Sequence, residues 1–188
     1  NAHKHAFGVS ENLKYALREA IELIGNEAAR QLWRQAADAK KGFFSGKDEL
    51  DAAQLSRECL RLVYRLLFLF YVESRKESLQ LLDQQGDDFH LAYTLEGLRP
   101  LAEIELHSEE SRNGHFLDES LRRLFDLIYQ GFESNVTTKV DDNSFRRPAL
   151  PADLFDPKRT PILSRTRLRN STLQQILRLL SLDSPKGS

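Results

Sequence analysis

The sequence predicts an all-α fold: an irregular helical bundle around one long central helix, with an extended Pro-rich arm before a C-terminal helix. Three observations predict it. Apolar residues recur at a spacing of 3–4 in several segments, while strand-like alternation is almost absent. The run from Leu66 to Val72 is apolar around the whole helical circumference, as suits a helix covered on most sides. Four of the six prolines, Pro148, Pro151, Pro157 and Pro161, fall close together, and each removes a backbone donor and restricts the residue before it.

Taken in order, Ser10 precedes Leu13, Leu17, Ala20, Ile21 and Ile24, with Gly25 placed to end a helix in the left-handed conformation. Asn26 then opens a second segment through Leu32, Trp33 and Ala36 to Lys41, closed by Gly42, so a helical hairpin is expected. Asp48 is placed to cap the longest helix, which runs to about Lys76 and carries Arg57, Arg61 and Arg65 on one stripe. Such a stripe pairs with acids of a neighbouring helix or faces a ligand. Residues 84–90 read as a loop, and Thr94 to Leu98 as the start of a short helix that Pro100 interrupts or restarts. His107 to Gly114 reads as a loop with a turn at Asn113-Gly114. Leu117, Leu121, Leu124, Phe125 and Ile128 mark a strong helix, stopped by Gly131. The expected organisation is a helical domain over 1–132 and an extended Pro/Arg-rich arm over 133–169, pinned by Phe145, Leu150, Leu154 and Phe155. Asn170-Ser171-Thr172 then caps a C-terminal helix over 170–183, with Leu173, Ile176, Leu177 and Leu180 on one side and a frayed tail over 184–188.

The chain has 188 residues, 40% hydrophobic and 29% charged, which is enough for a buried core and excludes wholesale disorder. A single cysteine, Cys59, excludes an internal disulfide framework and a multi-cysteine zinc site. The longest apolar run is seven residues, where a membrane span needs about twenty. There is no Met, and the opening Asn1-Ala2-His3-Lys4-His5 has no signal-peptide pattern, so the chain reads as an excised fragment of a longer protein.

Net charge is −1, but it is unevenly spread. Glu77 to Glu119 holds eleven acids and two bases, whereas Phe145 to Ser188 holds nine bases and three acids. No pair among the five histidines has the i, i+4 spacing of a helical zinc site, and no phosphate loop, nucleophile elbow or dinucleotide fingerprint occurs. Cys59 lies in an apolar helical stretch, where an inert buried thiol is expected. Asp153, Asp156 and Lys158 lack the strand hairpin that would orient a metal-dependent site. No catalytic, cofactor-binding or metal-ligating residue is therefore assigned. The basic arm is the candidate nucleic-acid contact: Arg146, Arg147, Lys158, Arg159, Arg165, Arg167 and Arg169. Alternate residues of an extended Arg165-Thr166-Arg167-Leu168-Arg169 place three guanidiniums on one side, able to track phosphates. The competing reading is a solvated linker, or a clamp onto the acidic 77–119 region.

Four segments carry a family resemblance. Leu62-Val63-Tyr64-Arg65-Leu66-Leu67-Phe68-Leu69-Phe70-Tyr71-Val72-Glu73-Ser74-Arg75 resembles a helix of type IIG-like restriction–modification and phage-defence DNA methylases, with Ser74 where the family usually has Asp. Tyr93 to Arg99, Glu110 to Phe116 with Glu119 to Phe125, and Leu154 to Pro157 with Pro161 to Leu163 resemble further segments in the same order. The lead from Pro148 to Asp153 lacks the family's glycines. The resemblance runs from about Gln54 to Leu182. It implies a helical region preceding an adenine-N6 methyltransferase domain, whose Asn-Pro-Pro-Tyr motif and Gly-rich donor-binding motif are not in these residues. The implied parent is a cytoplasmic enzyme that uses S-adenosylmethionine and acts on DNA. The fragment itself is then a non-catalytic scaffold, without a cofactor, whose partners are DNA and the other domains of its chain. Two other classes stay open: a free-standing helical protein–protein interaction module, and a small helical enzyme built on Arg57, Arg61, Glu73 and His115.

Overall fold

The computed structural model describes residues 2–40, 49–74, 98–138 and 152–181. Side chains are described from Glu11 in the first helix and up to Gly131 in the fifth. The fold is all-α, and no strand occurs among the described residues. The first helix, α1, spans Ala2–Asp38, and α2 spans Ala52–Ser74. Two short helices follow, α3 (Leu98–Glu103) and α4 (Glu109–Asn113), then α5 (Phe116–Thr138). Three single-turn 3-10 helices, Ala152–Phe155, Pro157–Arg159 and Leu163–Arg165, lead to α6 (Asn170–Leu180).

α1 is one helix where two were expected. Ala16, Ala20, Ile24, Ala28 and Leu32 form a single buried stripe at four-residue spacing, which runs straight through Gly25. A Cβ on Gly25 would lie 3.8 Å from Cys59 Sγ, so this position marks where α2 comes close to α1. The left-handed residue near the end of the helix is Lys40, with φ 52° and its N–H on Ala37 O. Gly42 lies outside the described residues.

α2 is central but shorter than α1, at 23 residues against 37. It begins after Asp51, whose Oδ1 accepts the Gln54 N–H at 3.0 Å; Asp48 lies outside the described residues. Leu55, Cys59, Val63, Leu66, Leu69 and Phe70 are buried against α1, α3, α6 and the 3-10 turns. Burying each such side chain contributes about 1.5–3 kcal/mol. Tyr64 and Tyr71 point outward, so the apolar circumference is not wholly covered.

Pro100 sits in the first turn of α3, where its missing N–H costs no helical bond. The expected loop over 107–114 contains α4, started by a reciprocal cap in which Ser108 and Ser111 bond each other's backbone N–H. The box is Ser-x-x-Ser rather than the usual Ser-x-x-Glu, which hid it in the sequence. α5 continues through Gly131 to Thr138, so the helix extends past 132. A Cβ on Gly131 would meet nothing within 4 Å, and an exposed helical glycine costs only about 1 kcal/mol. α6 buries Leu173, Ile176, Leu177 and Leu180 against α1, α3 and α5. No helix among the described residues is long and apolar enough to cross a membrane.

Candidate functional site

The described part of the arm, residues 152–169, is a strap across α1, α2 and α5. Phe155 is its apolar anchor, fully buried with its ring 5.5 Å from Phe68 and 5.7 Å from Phe125. Phe145 and Leu150 lie outside the described residues.

The strap's backbone is held by side chains of the helices. Arg65 of α2 donates to Leu154 O (2.6 Å) and Asp156 O (3.0 Å), and Arg61 donates to Asp153 O (2.8 Å). Arg122 of α5 donates to Leu163 O (2.9 Å) and Thr166 O (2.6 Å). Carboxylates do the converse. Glu58 Oε1 accepts the N–H groups of Ile162 (2.8 Å) and Leu163 (3.0 Å). Asp118 accepts from Leu168 N (2.9 Å) and from Arg122, while Glu27 accepts from Arg169 N, the Arg169 guanidinium and the Thr172 hydroxyl. Gln31 makes both bonds at once, donating to Arg167 O and accepting from Arg167 N. Gln35 donates to Arg165 O at 2.9 Å.

The last part is a register match. Positions 35, 31 and 27 of α1 meet 165, 167 and 169 of the strap, running antiparallel. Four helical residues rise about 6 Å and two extended residues span about 6.5 Å, so one side chain per turn meets every second strap residue. Glu27, Glu58 and Asp118 are only 3%, 1% and 5% exposed. Carboxylates so enclosed are tolerable because each accepts several hydrogen bonds. Burial, and then the charge of Arg61, lower the Arg65 guanidinium to about 10, which leaves it cationic at neutral pH; its Cζ lies 5.4 Å from the Phe125 ring centre.

Every backbone N–H along the strap from Asp156 to Asn170 has an acceptor. The N–H groups of Asp156, Arg159, Thr160, Ser164, Arg165 and Thr166 bond to carbonyls within the strap, and that of Lys158 bonds to Asp156 Oδ1. Ile162, Leu163, Arg167, Leu168 and Arg169 donate to helix side chains, and Asn170 donates to Gly114 O. The two residues without an N–H are Pro157 and Pro161.

Asn170 joins three helices. Its Oδ1 accepts the Leu117 N–H at the start of α5 (3.0 Å), and its Nδ2 donates to Ser111 O in α4 (2.7 Å). It was expected to cap its own helix; it caps a neighbour instead. Gly114 leaves little room here: an added Cβ would lie 3.1 Å from Asn170 Nδ2 and 3.2 Å from Glu110 O, so these neighbours would have to give by a few tenths of an ångström. His115 Nδ1 lies 3.1 Å from Leu168 O, on the same face.

Of the candidate phosphate-binding residues, Arg146 and Arg147 lie outside the described residues. Arg169 pairs with buried Glu27, and Arg167 turns back onto Ser164 O (3.0 Å) and Thr166 O (2.7 Å). Arg159 pairs with Asp153 at 2.9 Å. Lys158 and Arg165 are exposed, with no side-chain partner among the described residues. The clamp is therefore onto α1, α2 and α5. The set Arg57, Arg61, Glu73 and His115 does not converge: Arg57 and Glu73 are about 24 Å apart along α2 at 1.5 Å per residue. Arg57 bonds Gln54, Glu73 lies 3.8 Å from Arg99, and His115 meets the strap. Among the described residues no three metal-ligating side chains gather. A partly open cavity of about 50 Å³ between Arg65, Leu121, Phe125, Leu163 and Leu173 has room for water and not for a cofactor.

Sequence reading missed Glu27, Gln31, Glu58, Asp118 and Asn170. The signal was present. Glu27, Glu58 and Asp118 each adjoin a core position, Ala28, Cys59 and Leu117, on the buried stripe of its helix. A carboxylate beside the apolar stripe needs buried donors. No family model, curated protein or solved structure matches the chain.

Proposed function

We propose that this chain is a non-catalytic helical scaffold region of a cytoplasmic DNA restriction–modification methylase, which connects other parts of its protein and contacts the DNA backbone. One observation carries the reading: three of the four segments that resemble the methylase family meet at one place, and the described end of the other reaches the first about two turns further along α2. Arg65 of the first binds the carbonyls of Leu154 and Asp156 in the fourth and lies over Phe125 of the third. Phe68, Phe125 and Phe155 pack as one aromatic cluster across the same three segments. Glu73 of the first lies 3.8 Å from Arg99 of the second. Side chains shared in that pattern hold a fold together, which is the work of a scaffold. Catalysis, and the S-adenosylmethionine it consumes, belong in this reading to the parent enzyme.

Two measurements test it. The gene encoding this chain should continue into a reading frame that contains Asn-Pro-Pro-Tyr after a Gly-rich donor-binding motif; a frame without them overturns the methylase assignment. Calorimetry of this chain with S-adenosylmethionine should show no heat of binding, and micromolar affinity would mean that the region itself holds the donor.

A further inference from the structure

The strap fixes where a polyanion can be met, and the place is not the strap's own arginine row. Arg167 and Arg169 are engaged inside the molecule. Arg165 is exposed, and its main-chain carbonyl, not its guanidinium, is held by Gln35. Arg34 directly precedes Gln35, and Arg30 directly precedes Gln31, the residue that grips Arg167. Each arginine lies about 100° round the helix from its glutamine and in the same sense, so both fall on one flank of α1 beside the strap. Both are exposed; among the described residues Arg34 has no side-chain partner, and Arg30 has only a 3.3 Å bond to Asn26 O of its own helix. The nearest acids on this flank of α1 are Glu27, paired with Arg169, and Asp38, four residues beyond Arg34, while Glu19 lies on the Arg30 line three turns earlier. Trp33, the sole tryptophan, is 52% exposed and one turn from Arg30.

We propose that Arg30, Arg34 and Arg165 form a phosphodiester-binding surface along α1, with Trp33 at its edge. This deepens the DNA-directed reading above and rests on it. The chemistry fits three exposed guanidiniums that form charge-assisted hydrogen bonds to phosphate oxygens without breaking any bond that holds the strap. An exposed indole beside them offers a stacking face to an unpaired base. Duplex and single strand share the phosphate chemistry and differ at Trp33.

The test is a titration of the whole chain with a duplex and with a single-stranded oligonucleotide, read by anisotropy of the labelled nucleic acid and by Trp33 emission. Three phosphate contacts on duplex should weaken binding about forty-fold between 50 and 200 mM salt, and the triple change Arg30→Gln, Arg34→Gln, Arg165→Gln should abolish that share of the salt dependence. Trp33 emission should be quenched, and more by the single strand than by the duplex. The thermal midpoint should stay put, because none of the three guanidiniums bonds another element among the described residues. The control change Arg18→Gln, Arg57→Gln, Arg123→Gln removes three exposed charges from elsewhere and should leave most of the affinity. If the first variant binds as tightly as the unaltered chain, the surface lies elsewhere and this inference falls, while the DNA-directed reading stands. If nothing binds and Trp33 does not respond, the inference also falls, and the methylase assignment is still decided by the downstream reading frame. Equal losses from both triple variants would reduce the surface to general charge attraction and overturn it.

Discussion

Replacing Glu58 with Ala should unfasten the strap at its centre. Glu58 is 1% exposed, and no ion pair to it exists among the described residues. Its charge is balanced by hydrogen bonds alone, from Ile162 N at 2.8 Å, Leu163 N at 3.0 Å and Gln54 Nε2 at 3.0 Å. Alanine removes the shared acceptor of both backbone donors. Leu163 is buried, so its N–H bears the full cost of an unmade bond, while half-buried Ile162 regains some water. At 1–3 kcal/mol for an enclosed donor and less for the other, the loss comes to about 3 kcal/mol. For a chain of this size that lowers the thermal midpoint by about 6–12 °C. Glu58→Gln keeps the oxygen that faces the strap and exchanges charged for neutral bonds, and should cost about 1 kcal/mol. Urea unfolding followed by far-UV circular dichroism reads both, with Glu49→Ala as an exposed control expected to stay within about 0.5 kcal/mol of the unaltered chain. A Glu58→Ala protein as stable as Glu49→Ala would refute the reasoning, since the strap would then be held by its apolar anchors and not by its backbone bonds.

Three further outcomes follow from the same geometry. Arg169→Ala leaves buried Glu27 without its cation and should destabilise by about 2 kcal/mol, discounted because the guanidinium is 41% exposed, whereas Arg165→Ala should change stability by less than about 0.5 kcal/mol; equal effects in denaturant titrations would contradict the register described for α1. Asn170→Ala orphans Leu117 N and Ser111 O and should cost about 2–3 kcal/mol, while Asn170→Asp keeps the acceptor and loses the donor and should fall between, by thermal unfolding. Burial pushes the Cys59 thiol from 9.0 up to about 12, so the folded protein keeps a proton that the unfolded chain releases. Its contribution is fully present below pH 9 and is lost as pH rises towards 12, at about 1.4 kcal/mol per pH unit, so Cys59→Ala should flatten the alkaline slope, and a thiol reagent at neutral pH should label Cys59 only as fast as the protein opens.

Helix class and the buried faces were legible because one-sided apolar spacing leaves few alternatives. The stripe Leu117, Leu121, Phe125 and Ile128 is buried as its period requires, and so are Leu173, Ile176, Leu177 and Leu180. Helix ends were less legible, because glycine was read as a stop. Gly25 lies at the α1–α2 crossing and Gly131 on open surface, and neither adopts the left-handed conformation that a stop uses. The strap's attachment was illegible for another reason. Its arginines invite reading by their side chains, as a row that tracks phosphates or a clamp onto the acidic 77–119 region, while much of its fixing depends on main-chain groups that carry no residue identity. What identity there is lies in the helices, at Glu27, Gln31, Glu58, Asp118 and Arg122.

Attachment through the main chain still has to select one register, and the prolines do so. Glu58 needs two adjacent N–H groups, which Ile162 and Leu163 supply. A shift that brought the preceding residue opposite Glu58 would present Pro161, which has no N–H, and would leave a buried carboxylate half satisfied. A shift the other way would present Ser164, whose N–H is already bonded to Thr160 O, and Arg165 and Thr166 are likewise closed by the 3-10 turn. The free donors then resume at Arg167, Leu168 and Arg169, where Gln31, Asp118 and Glu27 wait on two different helices. The pattern of Pro, open pair, closed turn and open triplet therefore fits the helix side chains in one alignment only. An apolar groove would accept a strap slid by two residues at little cost; enclosed carboxylates do not. That selectivity is where the buried acids Glu27, Glu58 and Asp118 act: together they hold the strap on three helices in one alignment.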